Sequence, residues 1–193
     1  RQMCIRDSLA TLGTGGFAVV SNMVNKDIGA NYADSAYTYS GYTVTALGDV
    51  NGDGLADLGL TAPLADAAGI RYDAGKAYIV YGSKATTTIN LSDVEKGVGG
   101  FAIQGTAQSH LGLSIANAGD FNGDGFADIV VSAPDEAVAP SARAGKAYVV
   151  FGAATGSTSP LDVGALGLKG LVIAGPTSGS SPDADVFFGQ SVA

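Results

Sequence analysis

The sequence predicts an all-β chain of four-stranded antiparallel sheets standing side by side as the blades of an incomplete propeller. Three observations carry that prediction. The stretch Gly48–Pro63, GDVNGDGLADLGLTAP, returns as Gly119–Pro134, GDFNGDGFADIVVSAP, and the residues around the two copies repeat at an offset of 70 or 71. Short apolar runs are joined by turns rich in glycine, of which there are 29 without a collagen period, a composition typical of sandwiches, barrels and propellers. Finally, Gly75–Gly82 (GKAYIVYG) is apolar on both faces, with Ala77, Ile79 and Tyr81 on one and Tyr78 and Val80 on the other. A sheet half in water would alternate with polar residues, whereas a blade is covered on both sides by its neighbours.

Taken in order, residues 1–16 read as a leader. Its first residues, RQMCIRDS, carry three charges and no apolar h-region, so they form no secretory signal, and Arg1–Ser8 is read as partly foreign to the natural chain. The run at Gly16–Ser21 resembles Gly100–Gly105 and Gly170–Gly175, so Phe17–Ser21 is expected to be the last strand of a preceding unit. Asn22–Ser40 is polar and longer than its counterpart Thr106–His110, as an insertion on a loop face would be.

Two units follow, at residues 41–105 and 112–175. Each opens on an alternating strand (GYTVTAL, GLSIANA), passes through an acidic loop into a short apolar run stopped by Pro63 or Pro134, and crosses about a dozen residues to GKAYIVYG or GKAYVVFG. Each closes on GFAIQG or GLVIAG. Phe188–Ala193 reads as the start of a third unit, and since a propeller needs four to eight blades to close, the chain is expected to be a fragment.

The acidic loops carry oxygen-bearing side chains at positions 1, 3, 5 and 9: Asp49, Asn51, Asp53 and Asp57 in the first, Asp120, Asn122, Asp124 and Asp128 in the second. This pattern suits Ca²⁺, which takes six to eight oxygens, and Gly54 and Gly125 at position 6 allow the sharp turn. The carbonyls of Leu55 and Phe126 are the expected ligands from position 7. An EF-hand shares this first half but needs Glu at position 12 between two helices, where Leu60 and Val131 stand here. Asp57 and Asp128 are therefore expected to act as the bidentate carboxylates, in a calcium loop set inside a β-hairpin. Asp, Asn and Gly are also ordinary turn formers, but the same nine-position pattern at equivalent places in both units favours metal.

Charge and composition narrow the function. The formal charge is −8, and the ten Lys and Arg are scattered, which argues against nucleic acid as a partner. Six of the eighteen acidic residues lie in the two loops, so two Ca²⁺ would add four positive charges and bring −8 to −4. Cys4 is the lone cysteine and allows no internal disulfide. No apolar run reaches the length of a membrane-spanning helix. His110 has no Cys or second His beside it and reads as a turn residue. Once the loop carboxylates are assigned to metal, no convincing acid pair for glycoside hydrolysis remains. Leu161–Asp162–Val163 spells an integrin-recognition tripeptide, yet it occupies the same connection as Leu91–Val94 and reads as a structural turn. Tyr32, Tyr37, Tyr39 and Tyr42 could offer an aromatic surface to carbohydrate or protein, although packing is the commoner use.

With these residues in view, the chain resembles the FG-GAP repeat of integrin α subunits and of many large secreted bacterial proteins. The FG element stands as Phe188–Gly189 and, degenerate, as Leu111–Gly112 and Ser40–Gly41. The GAP element stands as Thr61–Ala62–Pro63 and Ser132–Ala133–Pro134, a hydroxyl residue replacing Gly. The GKAYIVYG form is more similar to the bacterial members. The resemblance covers nearly all of residues 17–193. It implies a propeller of about seven blades with structural Ca²⁺ in the loop between a blade's first two strands. It also implies a non-enzymatic segment of a secreted or surface protein, used in adhesion or as a scaffold for a protein or glycan ligand. The alternative is an accessory propeller of a secreted enzyme of phospholipase or polysaccharide lyase type.

Overall fold

A computed structural model describes residues 19–20, 40–67, 72–85, 87–139, 143–154, 159–177 and 187–193. The leader, the 22–39 insertion with Tyr32, Tyr37 and Tyr39, and Pro140 lie outside them. In chain order the strands are β1 (Val19–Val20), β2 (Val44–Gly48), β3 (Asp57–Ala62), β4 (Lys76–Val80), β5 (Ile89–Asn90), β6 (Gly100–Gln104), β7 (Ile115–Gly119), β8 (Asp128–Ala133), β9 (Lys146–Val150), β10 (Leu161–Asp162) and β11 (Gly170–Ala174). One four-residue helix, α1 (Leu91–Val94), stands where the sequence suggested a plain turn. The chain is all-β, as its pattern of short runs predicts.

Each unit is an antiparallel meander. The first orders its strands β2-β3-β4-β6 and the second β7-β8-β9-β11. Registers correspond: Leu60 faces Val44 and Tyr78 in the first sheet, and Val131 faces Ile115 and Tyr148 in the second. Both inner hairpins break register at the same place, just before Gly48 and Gly119, which adopt φ of +80° and +71°. That bulge turns the strand into the acidic loop, and positive φ is what glycine permits there.

Both faces of the first sheet are buried. Leu47, Ala77, Ile79, Phe101 and Ile103 pack with Ile115, Ile129, Val131 and Tyr148 of the second sheet. On the opposite face Ala62, Tyr78, Val80 and Ala102 pack with Leu91 and Val94 of α1 and with Val19 of β1. This division of β4 into two apolar faces is the one its sequence predicts. The described residues form two blades, against the four to eight of a closed propeller.

A second device joins the blades. β10, from the long connection of the second blade, pairs in parallel with the outer edge of β6, placing Leu161 opposite Ile103. β5 makes the same parallel pairing with β1, Val19 opposite Ile89, so β1 takes the place of a preceding blade's outer strand. Leu161 and Val163 are buried, which gives the tripeptide at 161–163 a packing role.

The FG elements are latches. Leu111 N donates to Ala74 O and Phe188 N to Ala144 O, each laying backbone across the glycine that opens β4 or β9. A Cβ on Gly75 would lie 2.2 Å from Leu111 O, and one on Gly145 would lie 2.2 Å from Phe188 O. Residues 187–193 hold no strand, but Phe188 docks on the second blade as Leu111 docks on the first, and Val192 N donates to Ser114 Oγ at 3.1 Å.

Candidate metal centre

Each acidic loop is a tight bend closed by its own carboxylates. In the first, Asp49 Oδ1 accepts the amides of Gly52 (2.7 Å) and Asp53 (3.0 Å), and its Oδ2 accepts that of Gly54 (2.8 Å). Asn51 Oδ1 accepts the Asp53 amide while its Nδ2 donates to Asp53 Oδ2, both at 3.0 Å. Asp53 Oδ1 accepts the amide of Leu55 at 2.8 Å. The second loop repeats the arrangement through Asp120, Asn122 and Asp124, down to the 2.8 Å contact of Asn122 Nδ2 with Asp124 Oδ2. Residues 1, 3 and 5 of each loop therefore converge on one bend.

The ninth residue does something the sequence did not reveal. Asp57 is fully buried, its Oδ2 accepting the Val50 amide at 2.9 Å and its Oδ1 the Gly82 amide at 2.7 Å. Asp128, equally buried, accepts from Phe121 and Asn122 with Oδ2 and from Gly152 with Oδ1. Each carboxylate thus ties the start of its loop to the end of the blade's third strand. The signal lay in the glycines after GKAYIVY and GKAYVVF: a Cβ at Gly82 would lie 2.6 Å from Ala56 O and one at Gly152 2.5 Å from Ala127 O, so only glycine brings its amide this close. Burial pushes the Asp57 carboxyl above the usual range; the amides of Gly82 and Val50 pull it partly back, and the charges of Asp53 and Asp49 push it up again.

Do these residues fit a cation? The donors are oxygen only, the set a hard divalent ion prefers. None of the six loop carboxylates forms a salt bridge among the described residues, where Asp93, Glu95, Asp135 and Glu136 each have a cationic or His partner. A carboxylate oxygen has more than one lone pair, so an amide contact leaves it able to bind further. On these grounds the loops fit. As they stand, no group of three or more Asp, Glu, His or Cys is gathered to hold an ion among the described residues.

The hydroxyl that replaces Gly in the GAP element also has a use. Thr61 Oγ1 accepts the amide of Thr43 at 3.0 Å and Ser132 Oγ that of Ser114 at 2.9 Å, both within buried surroundings at the head of the inner hairpin. His110 Nδ1 lies beside Asp135 Oδ2 without an aligned hydrogen bond. Tyr42 is exposed.

Residues 40–80 and 111–150 match a known family, and these segments hold the two acidic loops and inner hairpins just described. Both segments match the FG-GAP repeat. The chain is 33% identical to integrin alpha-6 of Gallus gallus over 155 residues, 79% of this chain and 12% of that protein. It is 35% identical to integrin alpha-PS2 of Drosophila melanogaster over 126 residues, 61% of this chain and 8% of that protein. Against phosphatidylinositol-glycan-specific phospholipase D of Bos taurus it is 30% identical over 136 residues, 70% of this chain and 16% of that protein. The chain therefore spans a small part of these relatives. In the second matched segment the FG element at Leu111 latches onto the preceding sheet, and in both segments the acidic loop follows the inner strand and the GAP hydroxyl closes the hairpin behind it.

Proposed function

We propose that the chain is a calcium-binding segment of a β-propeller in a secreted or cell-surface protein, of the bacterial type that GKAYIVYG suggests, and that it acts as an adhesion or binding scaffold. The observation that carries the reading is the pair of equivalent bends, each with three carboxylates that no cation among the described residues neutralises. Asp49, Asn51 and Asp53 with the Leu55 carbonyl would hold one ion, and Asp120, Asn122 and Asp124 with the Phe126 carbonyl the other. Asp57 and Asp128 would complete the sites by turning lone pairs left free by their amide partners toward the ions. The ion supplies positive charge to a cluster that otherwise repels itself. Extracellular calcium is abundant enough to load sites of modest affinity, which together with the integrin similarity supports a location outside the cell. Among the described residues no helix is long and apolar enough to cross a membrane.

Thermal melting in calcium and in chelator tests this. Wild type is expected to melt higher in calcium, with about 2.7 kcal/mol of added stability per site when the free ion is 100 times its Kd. Asp53→Ala combined with Asp124→Ala is expected to abolish the rise; an equal rise in the double variant would count against the loops as the sites. The similarity to phosphatidylinositol-glycan-specific phospholipase D favours one second reading, in which the segment is the non-catalytic accessory propeller of a secreted enzyme. A protein or glycan ligand for the isolated segment speaks for the scaffold. A hydrolase or lyase domain in the same reading frame speaks for the accessory role.

A further inference from the structure

The two acidic bends touch each other. Ala127 N donates to Asp49 O and Ala153 N donates to Val50 O, each at 3.0 Å, so the first residues of loop one are bonded to both ends of the second blade's core hairpin. Phe126 lies across loop one: a Cβ on Gly52 would sit 2.5 Å from its ring carbon Cε1. Gly52 is the residue whose amide Asp49 Oδ1 holds at 2.7 Å, and the Phe126 amide is held by Asp124 Oδ1 at 3.0 Å. An unbroken path therefore runs from the Asp49 carboxylate through Gly52 and the Phe126 ring to the Asp124 carboxylate. The equivalent place over Gly123 in loop two has nothing within 4 Å among the described residues. A side chain at 52 would have to displace the Phe126 ring, and the φ of +77° there also favours glycine.

We infer that Phe126 couples the two cation loops, so that filling either raises the affinity of the other. This rests on the calcium reading above. Phe126 occupies position 7 of loop two, so its carbonyl belongs to one site while its ring braces the other. Drawing either loop closed on an ion fixes the ring and Gly52 together, and the second loop then has less left to order. Such coupling is reciprocal by thermodynamic necessity.

Calorimetric titration of Ca²⁺ into the full chain tests it, using wild type, Asp53→Ala to disable loop one, Asp124→Ala to disable loop two, and Phe126→Leu alone and with Asp53→Ala. Coupling predicts that the loop surviving in each aspartate variant binds at least about 5-fold more weakly than the wild-type isotherm requires. It also predicts that in the Phe126→Leu background Asp53→Ala leaves the affinity of loop two unchanged. A wild-type isotherm equal to the sum of the two single-loop isotherms overturns the coupling while leaving calcium binding intact. Wild type that takes up no heat overturns the calcium reading beneath it. The comparison of wild type with the two aspartate variants decides the matter even if Phe126→Leu does not fold.

Discussion

Asp57 shows how a single side chain can serve both the fold and the proposed metal site. Its two oxygens hold the amides of Val50 and Gly82, and burial raises its pKa, so the fold bears a cost for keeping it charged. Asp53, by contrast, is exposed at the tip of the bend and holds only local contacts. In chelator, Asp57→Ala is expected to lose about 1–3 kcal/mol, since it strands buried amides, and Asp53→Ala no more than about 0.5 kcal/mol. Urea unfolding of the two variants measures this; equal losses would contradict the division of labour. Thr61 offers a second residue-level check. Thr61→Val leaves the Thr43 amide without its acceptor and is expected to cost about 1–3 kcal/mol, with Thr61→Ser restoring most of it.

Between elements, the latches and the polar contacts of the blades set the terms. Gly75 combines a φ of +77° with the backbone oxygen of Leu111 only 2.2 Å from where a Cβ would stand, so Gly75→Ala is expected to cost about 2–5 kcal/mol and loosen the Leu111 latch. Gly54→Ala meets open space and should show only the penalty of about 1–2 kcal/mol for its positive φ. Melting of both variants separates the contact from the dihedral. Tyr78 donates to Glu95, which also pairs with Lys76; Tyr148 donates to Glu136, which also pairs with Lys146. Burial, and then the neighbouring glutamate, pushes both phenols well above the usual range. A raised folded-state pKa gives stability that is whole below the unfolded value of about 10 and lost as pH climbs beyond it. Alkaline titration should therefore show tyrosinate absorbance from these two residues only as the fold melts; smooth ionisation with the fold intact would contradict it.

These elements also show what the sequence could disclose. The loops, inner hairpins and two-faced β4 were legible because each is a local pattern written twice. The two-residue strands β5 and β10 were not, since they carry no periodicity and gain their meaning from pairing with another blade. The glutamates were hidden for a different reason. Glu95 follows α1 and Glu136 follows β8, so equivalent Lys and Tyr find their carboxylate on unlike elements that no repeat alignment would superpose. The clamp made by Asp57 was hidden by its own motif, which pointed to metal and away from Gly82.

At the scale of the whole molecule, two blades share one buried seam from Leu47 to Tyr148, and the acidic loops stand together at one end of it. Six loop carboxylates in a chain of formal charge −8 concentrate repulsion at that end. On the proposed reading divalent ions would relieve it, which would link the charge balance, the repeated motif and the absence of ion pairs at these six aspartates among the described residues. Equilibrium dialysis of the purified chain against calcium in the low millimolar range tests that link most directly. Two ions bound per chain, falling to none in Asp53→Ala with Asp124→Ala, is the predicted result; a folded wild-type chain that retains no calcium would contradict it.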